Sequence, residues 1–313
     1  MSITNHPFIY TSISKQILFN EFAPVALKQM TIGVKLATKK DLESRLNRLL
    51  IPHFGNQEIK KITPLQVERW QSDLTITGGS DITRRTKQLL KKIFDRAIVY
   101  EIIKENPTAP TSKIRDTQTE LREIYSKYEV SQMLQGADGW LYLFILMMVS
   151  LGLRSSEMIG VKFSDIDWKS RKIYIQRSIR WGKFSLPKNG LKRWVDIPQG
   201  LLKELDRAYR ERIEKSPKMD YIFISPRSGS YWGDASSITK NYFKPLLKRL
   251  KIKYKTLYSL RHTYATISLQ GGQNIGYISE QLGHKNIKTT WDYYIRYLHD
   301  EDDLQRADTI LSF

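Results

Sequence analysis

Residues 282–293 read Leu282-Gly283-His284-Lys285-Asn286-Ile287-Lys288-Thr289-Thr290-Trp291-Asp292-Tyr293, which places a histidine nine positions ahead of a tyrosine. Two more short segments precede it in the same half of the chain. Ser150-Leu151-Gly152-Leu153-Arg154-Ser155-Ser156-Glu157 sets an arginine just after an apolar run, Trp140 to Val149, read as a buried helix. Tyr258-Ser259-Leu260-Arg261-His262-Thr263 sets another at the start of a helix expected over 264–269. Taken singly, none of these decides anything: a lone arginine is most often a surface or salt-bridge residue, and a histidine after Leu-Gly is most often a structural cap. Their order carries the meaning. Transesterification of a phosphodiester needs a nucleophile, cations around the non-bridging oxygens and an acid for the leaving oxygen.

Working outward, 172–198 reads as a short strand-rich block among helices. Ile173 and Ile175 alternate with polar residues, 193–197 reads as a further strand, and Asn189-Gly190 predicts a hairpin between the second and third strands. Further on, 240–255 interleaves seven basic residues with Tyr242, Phe243, Leu246, Leu247 and Leu250, the apolar members as core and the cations as a second phosphate-contacting surface. The first half reads as helical. Thr38 with Asp41 resembles a helix start, with Leu42, Leu46 and Leu49 following at helical spacing, and Ile51-Pro52 with Gly55-Asn56 marks a turn. Thr63-Pro64 with Gln66 is an N-cap, a first-turn proline and a capping-box partner. A third helix is expected over 81–102. Its apolar side carries Leu90, Ile93, Phe94 and Ala97, and its other side carries Arg84, Arg85, Lys87, Lys91 and Lys92, five cations read as having no acid among them. That face suits contact with DNA phosphates better than a merely solvated surface.

The chain of 313 residues has 51 Lys+Arg against 32 Asp+Glu, a net charge of +19, which favours a polyanionic partner because neutralised phosphates release counterions. The absence of cysteine excludes disulfides, thiolate metal sites and thiol nucleophiles. The N-terminal residues lack the pattern of a signal peptide, and the 140–149 run is about half the ~20 residues that span a bilayer, so a cytoplasmic protein with no membrane partner is expected. The expected organisation is a leader at 1–13, a helical domain at 14–106, a linker at 107–120, a second domain at 121–298 and a tail at 299–313.

The ordered set G-L-R-x-S-E, L-R-H-T, L-G-H and T-T-x-x-Y resembles a tyrosine recombinase of the phage integrase family, over roughly 128–297, and the helical half resembles that family's core-site-binding domain. The resemblance implies a mainly α fold with a small antiparallel β-sheet. It also implies site-specific cutting and rejoining of double-stranded DNA at paired sites by a homo-tetramer, through a 3′-phosphotyrosine, with no metal or other cofactor. Arg154 and Arg261 then clamp the scissile phosphate, and His284 donates to one of its oxygens. Tyr293 is the nucleophile, whose unperturbed pKa near 10 requires help in losing its proton. Tyr294 is the alternative by adjacency, but ~100° per residue lets only one face the phosphate. Lys188 takes the place of the hairpin lysine that protonates the leaving 5′-oxygen, with Lys183 and Lys192 flanking it. Glu157 matches an acidic position that orients basic side chains, a plain salt bridge being the alternative. Tyr258 departs from the pattern: it stands where the family usually has histidine, and a phenol donates a hydrogen bond but carries no positive charge.

Two rival readings stay open: a DNA-binding protein without catalysis, for which Tyr258 is the one hint, and a strand relaxer like the type IB topoisomerases. About a dozen residues precede the helical domain, so no separate arm-site-binding domain is expected. Leu304, Ala307, Ile310, Leu311 and Phe313, behind the acidic run 300–303, suit docking onto a neighbouring subunit or folding back on their own domain.

Overall fold

The computed structural model describes residues 16–114, 123–187, 190–216 and 218–294. The chain divides into two compact units, 1–120 and 121–313. The leader, the tail and Lys188 lie outside the described residues.

The first unit is helical: α1 (Phe19–Met30), α2 (Leu36–Arg45), α3 (Ile51–Phe54), α4 (Pro64–Gly78) and α5 (Ser80–Val99). Phe19, Phe22, Ala23, Ala26 and Leu27 line one face of α1 and meet Leu89, Leu90, Ile93, Phe94 and Ala97 of α5 in one core. The Thr63 cap forms as its sequence suggests: Gln66 N–H donates to Thr63 Oγ1 at 3.3 Å, and Thr63 N–H donates to Gln66 Oε1 at 2.8 Å.

Several expectations need correction. The start expected at Thr38 lies earlier, at Leu36. The turn expected at Ile51-Pro52 is helix: a π-helical turn over Leu46–Leu50 joins α2 to α3, and Pro52 sits in the first turn of α3, where no amide donor is required. The third helix ends at Val99 and not near 102, because Glu101 takes a positive φ of 56°. Residues near Thr111 and Ser112, read as linker, bond back to this unit through Gln71 and Lys87.

The second unit runs α6 (Lys127–Gly136), α7 (Gly139–Leu151), α8 (Ser155–Met158), then β1 (Ile166–Asp167), β2 (Lys172–Ile175), β3 (Ser178–Arg180), β4 (Lys183–Ser185) and β5 (Arg193–Asp196). It continues through α9 (Gln199–Lys215), α10 (Ala235–Ile238), α11 (Lys244–Arg249), α12 (Leu257–Gln270), α13 (Ile275–Leu282) and α14 (Ile287–Tyr294). Phe144, Ile145, Met147, Met148 and Leu151 make α7 the buried axis of this unit. α12 packs beside α7 and begins at Leu257, so Tyr258 and Arg261 stand on the helix itself, seven residues before the helix was expected.

The strands form two small antiparallel sheets, β1-β2-β5 and β3-β4, with Ile173 opposite Val195 in the first. The expected hairpin is displaced. β3 and β4 are joined across Trp181 and Gly182, both at positive φ, which is the twist a two-residue hairpin turn needs. Asn189 lies outside the described residues; Gly190 has a positive φ and its N–H donates to Pro187 O, but it stands between β4 and β5, strands that pair with different partners. An Asn-Gly pair specifies a turn and leaves open which strands meet across it.

Candidate active site

The site grows out of two helix ends. A helix leaves its last carbonyls without intrahelical partners and a partial negative charge there. α7 ends at Gly152 (φ 59°) and α13 at Gly283 (φ 65°), both left-handed caps that strain any other residue: a Cβ at Gly152 would come 2.3 Å from the Tyr264 ring, and one at Gly283 would push the Arg193 guanidinium, 2.9 Å away, aside. The freed carbonyls are taken up by arginines. Arg261, wholly buried on α12, donates from Nη1 to Gly152 O at 2.7 Å and from Nη2 to Leu282 O at 2.7 Å. Arg154 Nη2 donates to Gly283 O at 3.3 Å, and Arg193 Nε donates to Gln281 O at 2.8 Å.

Glu157 is the buried acid among them. It accepts from Arg154 Nη1 at 2.8 Å and from Arg193 Nη2 at 2.9 Å, and a carboxylate oxygen also accepts from the Arg154 amide. Burial drives its pKa up, but the charges and hydrogen bonds of Arg193, then Arg154 and Arg261, outweigh that and hold it at about 2. The pKa of Arg261 is also pushed down, to about 10, first by burial and then by Arg154. Arg154 and Arg193 thus share one carboxylate, Arg261 feels its charge without bonding it, and buried Arg261 Nε makes no hydrogen bond among the described residues. The cluster is arranged to accept an anion.

The Glu157 result sets a sign for acid stability. An unfolded glutamate titrates at about 4.3, and the folded one is depressed, so its contribution is complete above that value and is lost as the pH falls toward 2. Melting temperature followed from pH 6 to pH 2 is expected to fall less steeply in Glu157→Gln than in the native chain. An unchanged acid limb would show that the ion pairs contribute nothing net.

His284 lies beside this cluster. Its Nε2 is 3.1 Å from Arg261 Nη2 and its Nδ1 is 2.7 Å from Thr290 Oγ1 on α14. Tyr293, on the same helix, is 39% exposed, whereas Tyr294 is buried with its hydroxyl 2.6 Å from His262 Nδ1 on α12. One tyrosine is exposed and its neighbour is packed. Tyr258 occupies the first turn of α12, one turn before Arg261, with its ring centroid 5.8 Å from the Arg261 guanidinium carbon and 4.8 Å from the His262 ring.

The structure therefore brings Arg154, Glu157, Arg261, His284 and Tyr293 onto neighbouring elements, with Tyr258 at their edge. Sequence reasoning missed Arg193 and Thr290 as parts of the site. Arg193 reads as an ordinary strand residue, and nothing in its neighbourhood along the chain announces its partner 36 positions away.

The cationic face of α5 differs from its reading. Asp81 pairs with Arg84 and Arg85, Lys91 pairs with Asp95, and Lys87 donates to Ser112 O at 2.8 Å. Helical spacing of three or four residues brings those acids onto the face, so it is not free of acid. Among the described residues Lys92 alone of the five makes neither an ion pair nor a hydrogen bond. In the 240–255 stretch Lys253 pairs with Glu123 and Lys255 with Glu129. No helix among the described residues is long and apolar enough to cross a membrane.

Residues 117–301 match the family model of the phage integrase family, and residues 19–113 match that of the phage integrase central domain. The chain is 28% identical over 269 residues to the tyrosine recombinase XerC-like protein of Caldanaerobacter subterraneus subsp. tengcongensis, covering 76% of this chain and 68% of that one. The Tn1549 transposon integrase, in a structure with circular intermediate DNA, is 22% identical and superposes with a TM-score of 0.75 over 92% of this chain and 98% of its own. The lambda integrase, in a tetramer bound to a Holliday junction, is 18% identical with a TM-score of 0.74, over 92% of this chain and 80% of its own. Those two likenesses establish the fold: mainly helical, with small antiparallel sheets. The chain belongs to the phage integrase family of tyrosine recombinases and is a DNA strand transferase.

Proposed function

We propose that this chain recombines DNA at specific paired sites through a covalent 3′-phosphotyrosine at Tyr293. The observation that carries the reading is the convergence of Arg154, Arg261 and His284 on the turn around Gly283, with exposed Tyr293 on the next helix. In the first step Tyr293 Oη gives up its proton to solvent and attacks the scissile phosphorus, forming the P–O(Tyr) bond and breaking the bond to the 5′-oxygen, which leaves with a proton from Lys188. In the second step a 5′-hydroxyl of the partner strand returns its proton to Lys188 and attacks the phosphotyrosine, and the phenolate leaves and takes a proton from solvent, so bond energy is conserved. Arg154 and Arg261 clamp the phosphate, since a planar guanidinium fork donates two parallel hydrogen bonds and stays charged.

For Arg261 this means exchanging a contact. An arginine only donates, so in the free protein His284 Nε2 accepts from it. For His284 to donate to a phosphate oxygen, Nε2 must gain a proton and Arg261 must turn to the phosphate. Arg84, Arg85, Lys87, Lys91 and Lys92 are proposed to contact DNA phosphates from the helical core-site domain at 14–106. The exposed ion pairs of Arg84, Arg85 and Lys91 are weak in water and easily traded for phosphate. A linker at 107–120, whose residues near Ser112 bond back to the helical unit, leads to the catalytic domain at 121–298, and the tail at 299–313 docks onto a neighbouring subunit. Two duplexes present four strands to be cut, which calls for four protomers. The lambda integrase tetramer on a Holliday junction is a precedent for that assembly.

The test is covalent trapping on a nicked DNA carrying one or two candidate sites. A denaturant-resistant protein–DNA adduct that yields exchanged strands only with paired sites is expected. Relaxation of supercoiled DNA without paired sites would favour a topoisomerase-like activity, and binding without any adduct would sink the enzymatic reading.

A further inference from the structure

The imidazole of His284 is held between two helices by opposite kinds of partner. Arg261 on α12 has donors only, so Nε2, 3.1 Å away, accepts and carries no proton. The ring proton of neutral His284 then sits on Nδ1, and the group 2.7 Å from Nδ1 is the Thr290 hydroxyl on α14, which accepts it. Thr290 is fully buried and stands one helical turn before Tyr293. A threonine hydroxyl can also donate, so without a fixed partner at Nε2 the ring could take either tautomer; the pair of contacts removes that freedom.

We propose that Thr290 is a positioning residue: its hydroxyl accepts the Nδ1 proton that Arg261 leaves there, fixes the direction of the His284 ring and registers the nucleophile-bearing helix against it. This rests on the phosphotyrosine reading and adds to it a reason why the helix of Tyr293 is aligned with the phosphate clamp. The bond persists when His284 becomes cationic, because Nδ1 keeps its proton in both states. The ring can therefore gain a proton at Nε2 and swing from accepting to donating there without losing its hold on α14. The lone pair of the Thr290 oxygen is what the arrangement needs. A methyl group in its place preserves the packing and removes the function.

The experiment compares Thr290→Val, nearly isosteric, with Thr290→Ser, which keeps the hydroxyl, in the full chain. Two measurements are made. The first is the ring ¹⁵N spectrum of His284 in the free protein, which requires no activity. All three chains are expected to show the Nδ1–H form set by Arg261, with the Nδ1–H signal of Thr290→Val alone shifted to that of a ring N–H without an acceptor. The second is single-turnover cleavage against DNA affinity. Thr290→Val is expected to cleave roughly ten- to a hundredfold more slowly, the scale of a misplaced catalytic group, with affinity unchanged, while Thr290→Ser stays near the native rate.

A native spectrum showing the Nε2–H form overturns the proposal whatever the rates. So does a Thr290→Val chain that cleaves at the native rate, or a Thr290→Ser chain as slow as Thr290→Val, which would assign the effect to packing. A native chain with the Nδ1–H spectrum that forms no adduct overturns the phosphotyrosine reading instead, and this role for Thr290 with it.

Discussion

Tyr293→Phe is expected to bind DNA as tightly as the native chain and to form no covalent adduct. The hydroxyl is the attacking atom, so its removal takes away the reaction and not merely a fraction of its rate. Little else should change, because the side chain is 39% exposed and its loss of one oxygen opens no buried cavity. The neighbouring substitution, Tyr294→Phe, should show the reverse pattern. It keeps the adduct but breaks the buried hydrogen bond to His262, at a cost of about 1 kcal/mol of stability. Denaturing gels with labelled nicked DNA report the first quantity and thermal melting the second. Adducts from Tyr293→Phe together with none from Tyr294→Phe would falsify the assignment of the nucleophile.

The second large effect concerns the clamp. Arg154→Ala and Arg261→Ala should each slow single-turnover cleavage by roughly 10²–10³, the usual loss for one donor to a developing charge. Their effects on the fold should differ. Arg154 is partly exposed, and when it is removed Glu157 still keeps Arg193. Arg261 is sealed inside and holds the last carbonyls of α7 and α13, so its removal leaves two buried acceptors unpaired, at about 1–3 kcal/mol each. Arg261→Ala should therefore melt clearly below Arg154→Ala. Arg261→Lys separates charge from shape, since an ammonium keeps the charge but lacks the planar fork that spans both carbonyls. If Arg261→Ala cleaves at the native rate, Arg261 is structural and the clamp must be sought elsewhere.

Much of the site was legible along the chain because its chemistry is carried by short segments in a fixed order. Arg154, Arg261, His284 and Tyr293 each sit inside one, and the spacing from His284 separated Tyr293 from Tyr294. What was not legible depends on contacts between distant segments. Arg193 acquires its meaning only when β5 lies beside the end of α13, and Thr290 only when α14 folds against His284. Local signals also misled in instructive ways. Asn189-Gly190 suggested a hairpin, yet the strands on either side, β4 and β5, do not pair with each other, and the cations of α5 looked free of acid until Asp81 and Asp95 were placed one turn away. α1 went unread even though Phe19, Phe22, Ala23, Ala26 and Leu27 repeat at helical spacing, because Pro24 interrupts the run.

The arginines that close the ends of α7 and α13 give this protein an uneven vulnerability to decay. A chain released from selection accumulates substitutions in proportion to how little each one disturbs folding. Arg261 is guarded by its architectural duty, since losing it exposes a lineage to degradation before any question of recombination arises. Tyr293 has no such protection. Relics of this gene should therefore keep their arginines and lose the tyrosine first, persisting as folded proteins that still grip DNA and no longer cut it.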